Sequence, residues 1–325
     1  MTIPAIPRWH FGMMNDQDRN KPLRDAIVAT VRPDDLVLDI GTGGGLTALW
    51  AARCGAYVVS CEANPAVADL ARRIVAANML SHRITIVEGM STDLRIGPAG
   101  LPRPADVLTA EVFDCALIGE GALPALADAR ARLLAPDARL IPAAGTLWAQ
   151  VVDSASLHEL NHVHTVDGFD LSAFNAASTP GYFLQHVDGH RHSPLTDPFE
   201  LLRFDFAGEP VPVSGTARHQ VPTIHRGMAH AAVLWFSLDL GHGYELANPP
   251  GRARHWHQGV YTFPVPIPTI PGGSLCVEVE YEGTALRLRP AQSETAPTLP
   301  TPAGEKAATR AGGRQDDGAP RGRDR

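Results

Sequence analysis

Glu111 and Glu120 bracket the segment Glu-Val-Phe-Asp-Cys-Ala-Leu-Ile-Gly-Glu. Two carboxylates held close together suit a guanidinium, a planar fork of N–H donors with a full positive charge. Just upstream, Asp106-Val107-Leu108-Thr109-Ala110 reads as the fourth strand of a nucleotide-binding α/β domain. Ligands of open α/β sheets sit outside the carboxyl ends of the strands, which places Glu111 at the mouth of a site. Acidic residues also favour helix starts, so the spacing alone does not decide between a ligand and a dipole.

A second constellation breaks the tie. Asp39-Ile40-Gly41-Thr42-Gly43-Gly44-Gly45 closes the first strand, Leu36-Val37-Leu38-Asp39-Ile40. Such a turn lets backbone N–H groups approach a ligand. A dinucleotide fingerprint needs a glycine where Leu46 stands. Here Gly41, Gly43 and Gly45 fall at every second residue with Asp39 two before the first, a spacing that looks like the S-adenosylmethionine turn of class I methyltransferases. Glu62 ends the second strand, placed to accept from both ribose hydroxyls. Gly89-Met90-Ser91 follows the third strand, where adenine is expected.

The elements that must hold these residues follow a clear pattern. From residue 36 to about 152, strand-like runs alternate with helical stretches, from Leu46 to Cys54 and from Pro65 to Asn78, which predicts βαβ units and a parallel sheet. After about Asp153 short alternating runs such as Leu201 to Phe206 and Ala232 to Phe236 predict an antiparallel β domain. Asp170 to Asn175 is helix-like, and Ser178 to Pro198 reads as a projecting arm. From Ala291 onward the composition predicts disorder. The expected division is a helical segment over the cofactor at 1–22, a cofactor-binding domain at 23–152, a β-barrel-like domain with a dimerisation arm (about 170–200) at 153–290, and a tail at 291–325.

Composition bounds the function. In 325 residues, 44% hydrophobic content supports a sizeable core, and a net charge of −7 argues against a nucleic-acid partner. Four scattered cysteines form neither a disulfide framework nor a zinc ribbon. No run approaches a membrane span and no signal core is present at the start, so a cytoplasmic protein is expected. Arginine supplies nearly all the positive charge, with Lys21 and Lys306 the two lysines, a usage typical of GC-rich bacterial genomes.

Four ordered blocks resemble the protein arginine methyltransferases, especially their monomethylating (type III) branch. They are His10-Phe11-Gly12-Met13-Met14-Asn15-Asp16-Gln17-Asp18-Arg19, similar to a family helix; the glycine turn; the Glu111 to Glu120 "double-E" loop with Gly121-Ala122-Leu123-Pro124; and Arg254-His255-Trp256, similar to the family's Thr-His-Trp loop. Gly168-Phe169-Asp170-Leu171-Ser172 resembles the segment leading into the family's dimerisation arm, and the likeness runs from about His10 to Pro290.

The resemblance implies S-adenosyl-L-methionine as cofactor and a homodimer. Arg19 would hold the cofactor carboxylate and Glu62 the ribose, with Met13, Met90, Ser91 and the glycines also at the cofactor. Glu111 and Glu120 would hold the substrate guanidinium beside Trp256, with Asp16 and His255 paired across the two domains. Arg254 stands where the family has threonine and is expected to pair with the carboxylate of free L-arginine; Arg254→Thr should then raise KM for that substrate before it alters kcat. Ala122 stands where dimethylating members carry methionine, which leaves product specificity open at that position, and the likeness to the type III branch implies monomethylation. Free L-arginine is favoured slightly over protein arginine because no accessory recognition domain is evident. A non-catalytic dimeric scaffold is the third reading, and unpaired acids at a cleft count against it.

Other motifs compete. His158-Glu159-Leu160-Asn161-His162 matches the zincin signature, but Thr165 and Gly168 lack the residues a metzincin needs, and no metal is expected. His186, His190 and His192 repeat the spacing of His158, His162 and His164 and are read as solvated or dimer-contact residues. Arg321-Gly322-Arg323 resembles sites the family methylates and is read as a soluble tail.

Overall fold

The computed structural model describes residues 6–98, 100–208, 210–252 and 255–292. Arg254 and the tail from 293 therefore lie outside the described residues, as do the roles expected of them. Strands β1 (Leu36–Ile40), β2 (Tyr57–Glu62), β3 (Ile84–Glu88), β4 (Ala105–Ala110) and β5 (Leu134–Ile141) form one parallel sheet in the order β3-β2-β1-β4-β5. β1 is buried along its whole length, as a parallel strand covered on both faces must be. The strand order reverses between β1 and β4, and a crevice opens there at the carboxyl ends. The two ends are stitched together, because Glu111 N–H donates to the Ile40 carbonyl at 3.2 Å.

The N-terminal block departs from a single helix. Helix α1 (Trp9–Asn15) stops at Asp16, whose backbone is extended (φ −75°, ψ 96°), and α2 (Gln17–Thr30) begins after it. Asp16 Oδ1 accepts from Arg19 N–H at 3.0 Å, a helix N-cap that leaves Oδ2 for a second partner. The expected boundary at residue 22 falls inside α2, which buries Leu23, Ala26 and Ile27 in the same core as the parallel sheet. Helices α3 (Leu46–Arg53), α4 (Pro65–Ala77) and α5 (Ala122–Arg132) complete the unit.

The boundary expected at 152 also moves. β6 (Ala144–Asp153) pairs antiparallel with Phe199–Asp205 and Gly227–Asp239, so the parallel unit ends before it. Its apolar run suits either kind of sheet, and only the direction of pairing assigns it. β6 lies in a seven-stranded sheet with Gln258–Thr269 and shorter strands, beside a three-stranded sheet of Ser214–Pro222, Ser274–Glu282 and Ala285–Gln292. Both sheets end in open edges among the described residues, so the barrel-like expectation becomes two packed antiparallel sheets. Phe204 meets Tyr281 edge-on between them, ring centroids 5.3 Å apart.

The arm begins at α6 (Ala155–His158) and returns along Phe183–Gln185 to the seven-stranded sheet. Phe169 and Phe174 on it are 71% and 75% exposed, a costly arrangement for an isolated chain. No helix among the described residues is long and apolar enough to cross a membrane.

Candidate active site

A cavity of about 720 Å³ opens at the carboxyl ends of β1 and β4 and is closed on its far side by the β domain. Gly41, Gly43, Glu62, Met90 and Ser91 line one end, with Met13 and His10 from α1. Glu111, Glu120, His255 and Trp256 line the other. The chain thus brings the two constellations into one space, though they are separated in sequence.

The glycine turn is built for close approach. Gly41, Gly43 and Gly45 have φ of 85°, 49° and 79°, where a side chain is strained. The Glu62 carboxylate accepts Gly43 N–H at 3.0 Å and Asn64 N–H at 2.9 Å, which fixes it at the rim. Ser91 is buried while Met90 is exposed over it. Trp9 stacks on His10 at 3.7 Å and both reach the cavity wall.

Two residues expected at the cofactor stand elsewhere. Asp39 is buried beneath the turn and accepts from the hydroxyls of Ser60 and Thr109, each at 2.6 Å. Burial pushes its carboxyl above the ordinary range against those hydrogen bonds. It is a post under the turn, not a wall of the cavity. Gly45 caps the start of α3, one step outside the wall. The reason in both cases is the strand pleat and turn geometry, which point alternate positions inward.

Arg19 likewise stands off the cavity wall and pairs there with Glu111. Its guanidinium is 2.5 Å from Glu111 Oε2, and both side chains are nearly inaccessible. The same guanidinium lies 5.9 Å from the Trp256 ring, while its Nε is buried with no hydrogen-bond partner among the described residues.

Glu120 faces the cavity, reached by solvent yet enclosed by protein on most sides. Burial, then the charges of Glu111 and Asp114, push its carboxyl up to about 7. Asp16 and His255 meet as expected, with Nδ1 2.9 Å from Asp16 Oδ2. The carboxylate has no proton to give, so Nδ1 carries the hydrogen and Nε2 is left bare. Burial holds the His255 imidazole below its ordinary value despite Asp16, so the ring is neutral near pH 7. Asp16 is itself pushed up by burial, but hydrogen bonds from His255 and Arg19 N–H outweigh this and leave it below the ordinary range. Asp16 sits behind His255, off the cavity wall. Trp256 packs edge-on against Phe236 and donates its indole N–H to the Phe113 carbonyl at 3.3 Å.

Two residues at the site carried no sequence signal. Tyr182 of the arm donates to Asp114 Oδ2 at 2.6 Å, across 68 positions of sequence. His257 lines the cavity and its ring meets that of His186 at a tilt of 46°, centroids 3.8 Å apart. The zincin-like residues stand apart from the cavity: His158 Nε2 is 2.9 Å from the Phe263 carbonyl and His162 Nε2 3.1 Å from Thr262 Oγ1. Their rings stack at 4.3 Å, and no metal-holding group occurs among the described residues.

This fold and site define a class I methyltransferase unit joined to an antiparallel β domain. Residues 143–291 match the model of the arginine methyltransferase oligomerization subdomain. The chain is 39% identical over 293 residues to an arginine N(omega)-methyltransferase of Streptomyces achromogenes subsp. streptozoticus, covering 87% of this chain and 78% of that protein. It is 32% identical over 258 residues to protein arginine N-methyltransferase 7 of Oryza sativa subsp. indica, covering 71% of this chain but 35% of that longer protein. Among solved structures, a Trypanosoma brucei PRMT1 enzyme-prozyme heterotetrameric complex with AdoHcy superposes with a TM-score of 0.75 at 23% identity, covering 89% of this chain and 96% of that one. Arabidopsis thaliana protein arginine methyltransferase 10 gives 0.70 at 20% identity, covering 88% and 94%. The chain belongs to the arginine methyltransferase family, whose members are S-adenosylmethionine-dependent enzymes.

Proposed function

We propose that the protein transfers one methyl group to a guanidino nitrogen of free L-arginine and works as a homodimer. One observation carries the reading: Glu111 and Glu120 line the same cavity as the glycine turn and Glu62. The residues fit the cofactor, for Arg19 holds a buried Nε donor without a hydrogen-bond partner among the described residues, and the positive-φ glycines let the backbone of the turn come close to a ligand. Arg19 would hold its carboxylate, Glu62 its ribose, and Met13, Met90 and Ser91 its adenosine end. When bound, S-adenosylmethionine supplies an electrophilic methyl group.

The chain's own residues do the rest. Guanidinium is a poor nucleophile because its nitrogens share one positive charge and their lone pairs. Glu111 and Glu120 each accept from the guanidinium and draw its charge to the bonded nitrogens, leaving the remaining nitrogen richer in electrons. Holding that nitrogen in line at contact distance supplies much of the acceleration, and the two carboxylates stabilise the charge. The bare Nε2 of His255 is the acceptor for the proton released, and Asp16 stabilises the imidazolium that forms.

The similarity to a Streptomyces enzyme named for arginine itself supports free L-arginine. Peptide arginine is the second reading, favoured by the named protein methyltransferases of which this chain spans only 35–45%. The matched oligomerization subdomain and the exposed Phe169 and Phe174 of the arm support a homodimer. The deciding experiment is a mass-spectrometric transfer assay with labelled S-adenosylmethionine, offering free L-arginine and an arginine-glycine-rich peptide separately. Monomethylated free arginine, abolished by Glu111→Gln, is the expected result. Product on the peptide alone replaces the substrate assignment, and no product on either returns the scaffold reading.

A further inference from the structure

We propose that Tyr182, at the foot of the arm, is a positioning residue for the substrate acid Glu120, acting through Asp114. The inference rests on the reading of Glu120 as a guanidinium ligand.

The loop from Glu111 to Glu120 leaves β4 and must turn back before α5, with no regular structure to hold it. Asp114 organises it from within. One carboxylate oxygen, Oδ1, accepts Ala116 N–H at 3.1 Å and Gly119 N–H at 2.9 Å, which fixes the peptide that leads into Glu120. The other oxygen, Oδ2, accepts the Tyr182 hydroxyl at 2.6 Å. Trp256 and Asn248 hold the first half of the loop at the Phe113 and Cys115 carbonyls, while the turn into Glu120 is held by the Asp114 carboxylate, which the arm holds in turn.

The fit is tight enough to transmit position. A Cβ on Gly119 would fall on Asp114 Oδ2 and on the Tyr182 hydroxyl, so the three groups are packed without slack. Asp114 is enclosed, and its carboxyl is pushed above the ordinary range by burial even though three donors favour the charged form. Removing one donor from so enclosed a carboxylate lets it re-aim, and Gly119 follows. The arm touches the other side of the site as well, where Asp188 accepts Gly251 N–H at 3.0 Å on the segment leading to His255. The arm therefore reaches both segments that carry substrate-facing groups, whereas the glycine turn and Glu62 are held through Cys61 of β2 and packed by Met13 and Met14 of α1. The consequence is a split: the arm tunes the guanidinium end of the cavity and leaves the cofactor end untouched.

Tyr182→Phe tests this in the full chain, since it removes one hydroxyl and keeps the ring. Arginine KM should rise about tenfold, the loss of one hydrogen bond to a charged group, while the Kd for S-adenosylhomocysteine stays near wild type and the melting temperature falls only by the few degrees that one hydrogen bond is worth. Amide exchange at 116–121 should quicken with the rest of the protein unchanged. Asp114→Asn is the conservative partner: its amide oxygen still accepts from Ala116 and Gly119 and its NH2 donates to the tyrosine oxygen. It should retain most turnover, with the pH profile moved slightly to lower pH because burial and Glu111 still raise Glu120 while the smaller push from Asp114 is gone. Unchanged exchange and unchanged arginine KM in Tyr182→Phe overturn the inference. So does a parallel loss of arginine binding, cofactor binding and melting temperature, which is the signature of a merely structural contact. Wild-type protein inactive on every arginine compound would overturn the functional reading instead, and the exchange result would then judge the link between Tyr182 and the loop by itself.

Discussion

The guanidinium of Arg19 lies 2.5 Å from the carboxylate of Glu111, so an acid proposed to bind a substrate guanidinium already holds an internal one. The pair joins the N-terminal helices to the end of β4 across 92 positions of sequence. Its geometry bears on both ends of the cavity. Arg19 keeps Glu111 aimed, and Glu111 holds Arg19 near the place where a cofactor carboxylate would sit.

Arg19→Ala should therefore damage two things together. The Kd for S-adenosylhomocysteine should rise about tenfold or more through loss of a charge-assisted hydrogen bond. Stability should fall by about 3 kcal/mol, the cost of leaving Glu111 without its partner in an enclosed site. Calorimetry and urea titration measure the two. Weakened cofactor binding with unchanged arginine KM would show that Glu111 keeps its aim without Arg19.

Glu111→Gln should preserve the fold, because a glutamine oxygen still accepts from Arg19. Transfer should drop by about a hundredfold to a thousandfold, the usual effect of removing one aimed electrostatic partner of a transition state. Labelled transfer beside a thermal melt checks it. Substantial residual turnover would move the guanidinium away from Glu111.

Glu120 supplies a pH prediction. Its carboxyl is raised from 4.5 to about 7, so between those values the folded protein keeps a proton that the unfolded chain has released. That contribution to stability is complete in acid, declines as pH climbs through the window, and levels off above it. Charged Glu120 is the form that binds guanidinium, so kcat/KM should rise through about pH 7 while this stability contribution declines. Glu120→Gln should flatten the stability slope, and denaturant melts from pH 4.5 to 8 measure it.

Asp16→Ala removes a helix cap and the carboxylate behind His255. Stability should fall by about 2 kcal/mol, a cap plus one charge-assisted hydrogen bond. The kcat should fall as well, because the imidazolium loses its counter-charge. Asp16→Asn should restore the cap and not the rate. Recovery of both by Asn would make the pair a strap between the domains with no part in proton transfer.

Asp39→Ala should destabilise the protein by about 2 kcal/mol by leaving the Thr109 hydroxyl without its acceptor in a dry interior, while Ser60 keeps the Thr42 hydroxyl as a partner. Any loss of cofactor affinity would then act through the turn it supports, and Asp39→Asn should recover most of the stability.

Much of this was written in local spacing. The glycine turn, the acid ending β2 and the double-E loop were legible because each is a run of neighbours whose types must suit one backbone path. The parallel sheet was legible from the alternation of apolar runs with helical stretches, and the meeting of Asp16 with His255 from the resemblance. Less legible were the places where a short pattern fits two partners. The apolar run of β6 reads equally well as the end of one sheet or the start of another, so the boundary at 152 gave way to pairing with Gly227–Asp239. Asp39 reads as a ligand by its place in the motif, yet the pleat of β1 turns it into the core.

What the chain by itself determined is the chemistry available: two acids for a guanidinium, a turn for a nucleoside cofactor, a histidine with a carboxylate. What only the tertiary structure decided is who holds whom. Arg19 meets Glu111 and Tyr182 meets Asp114 because sheet order and arm path bring distant segments to one crevice. A hydrogen bond reaches about 3 Å, and no periodicity along the chain encodes a separation that short between residues so far apart in sequence.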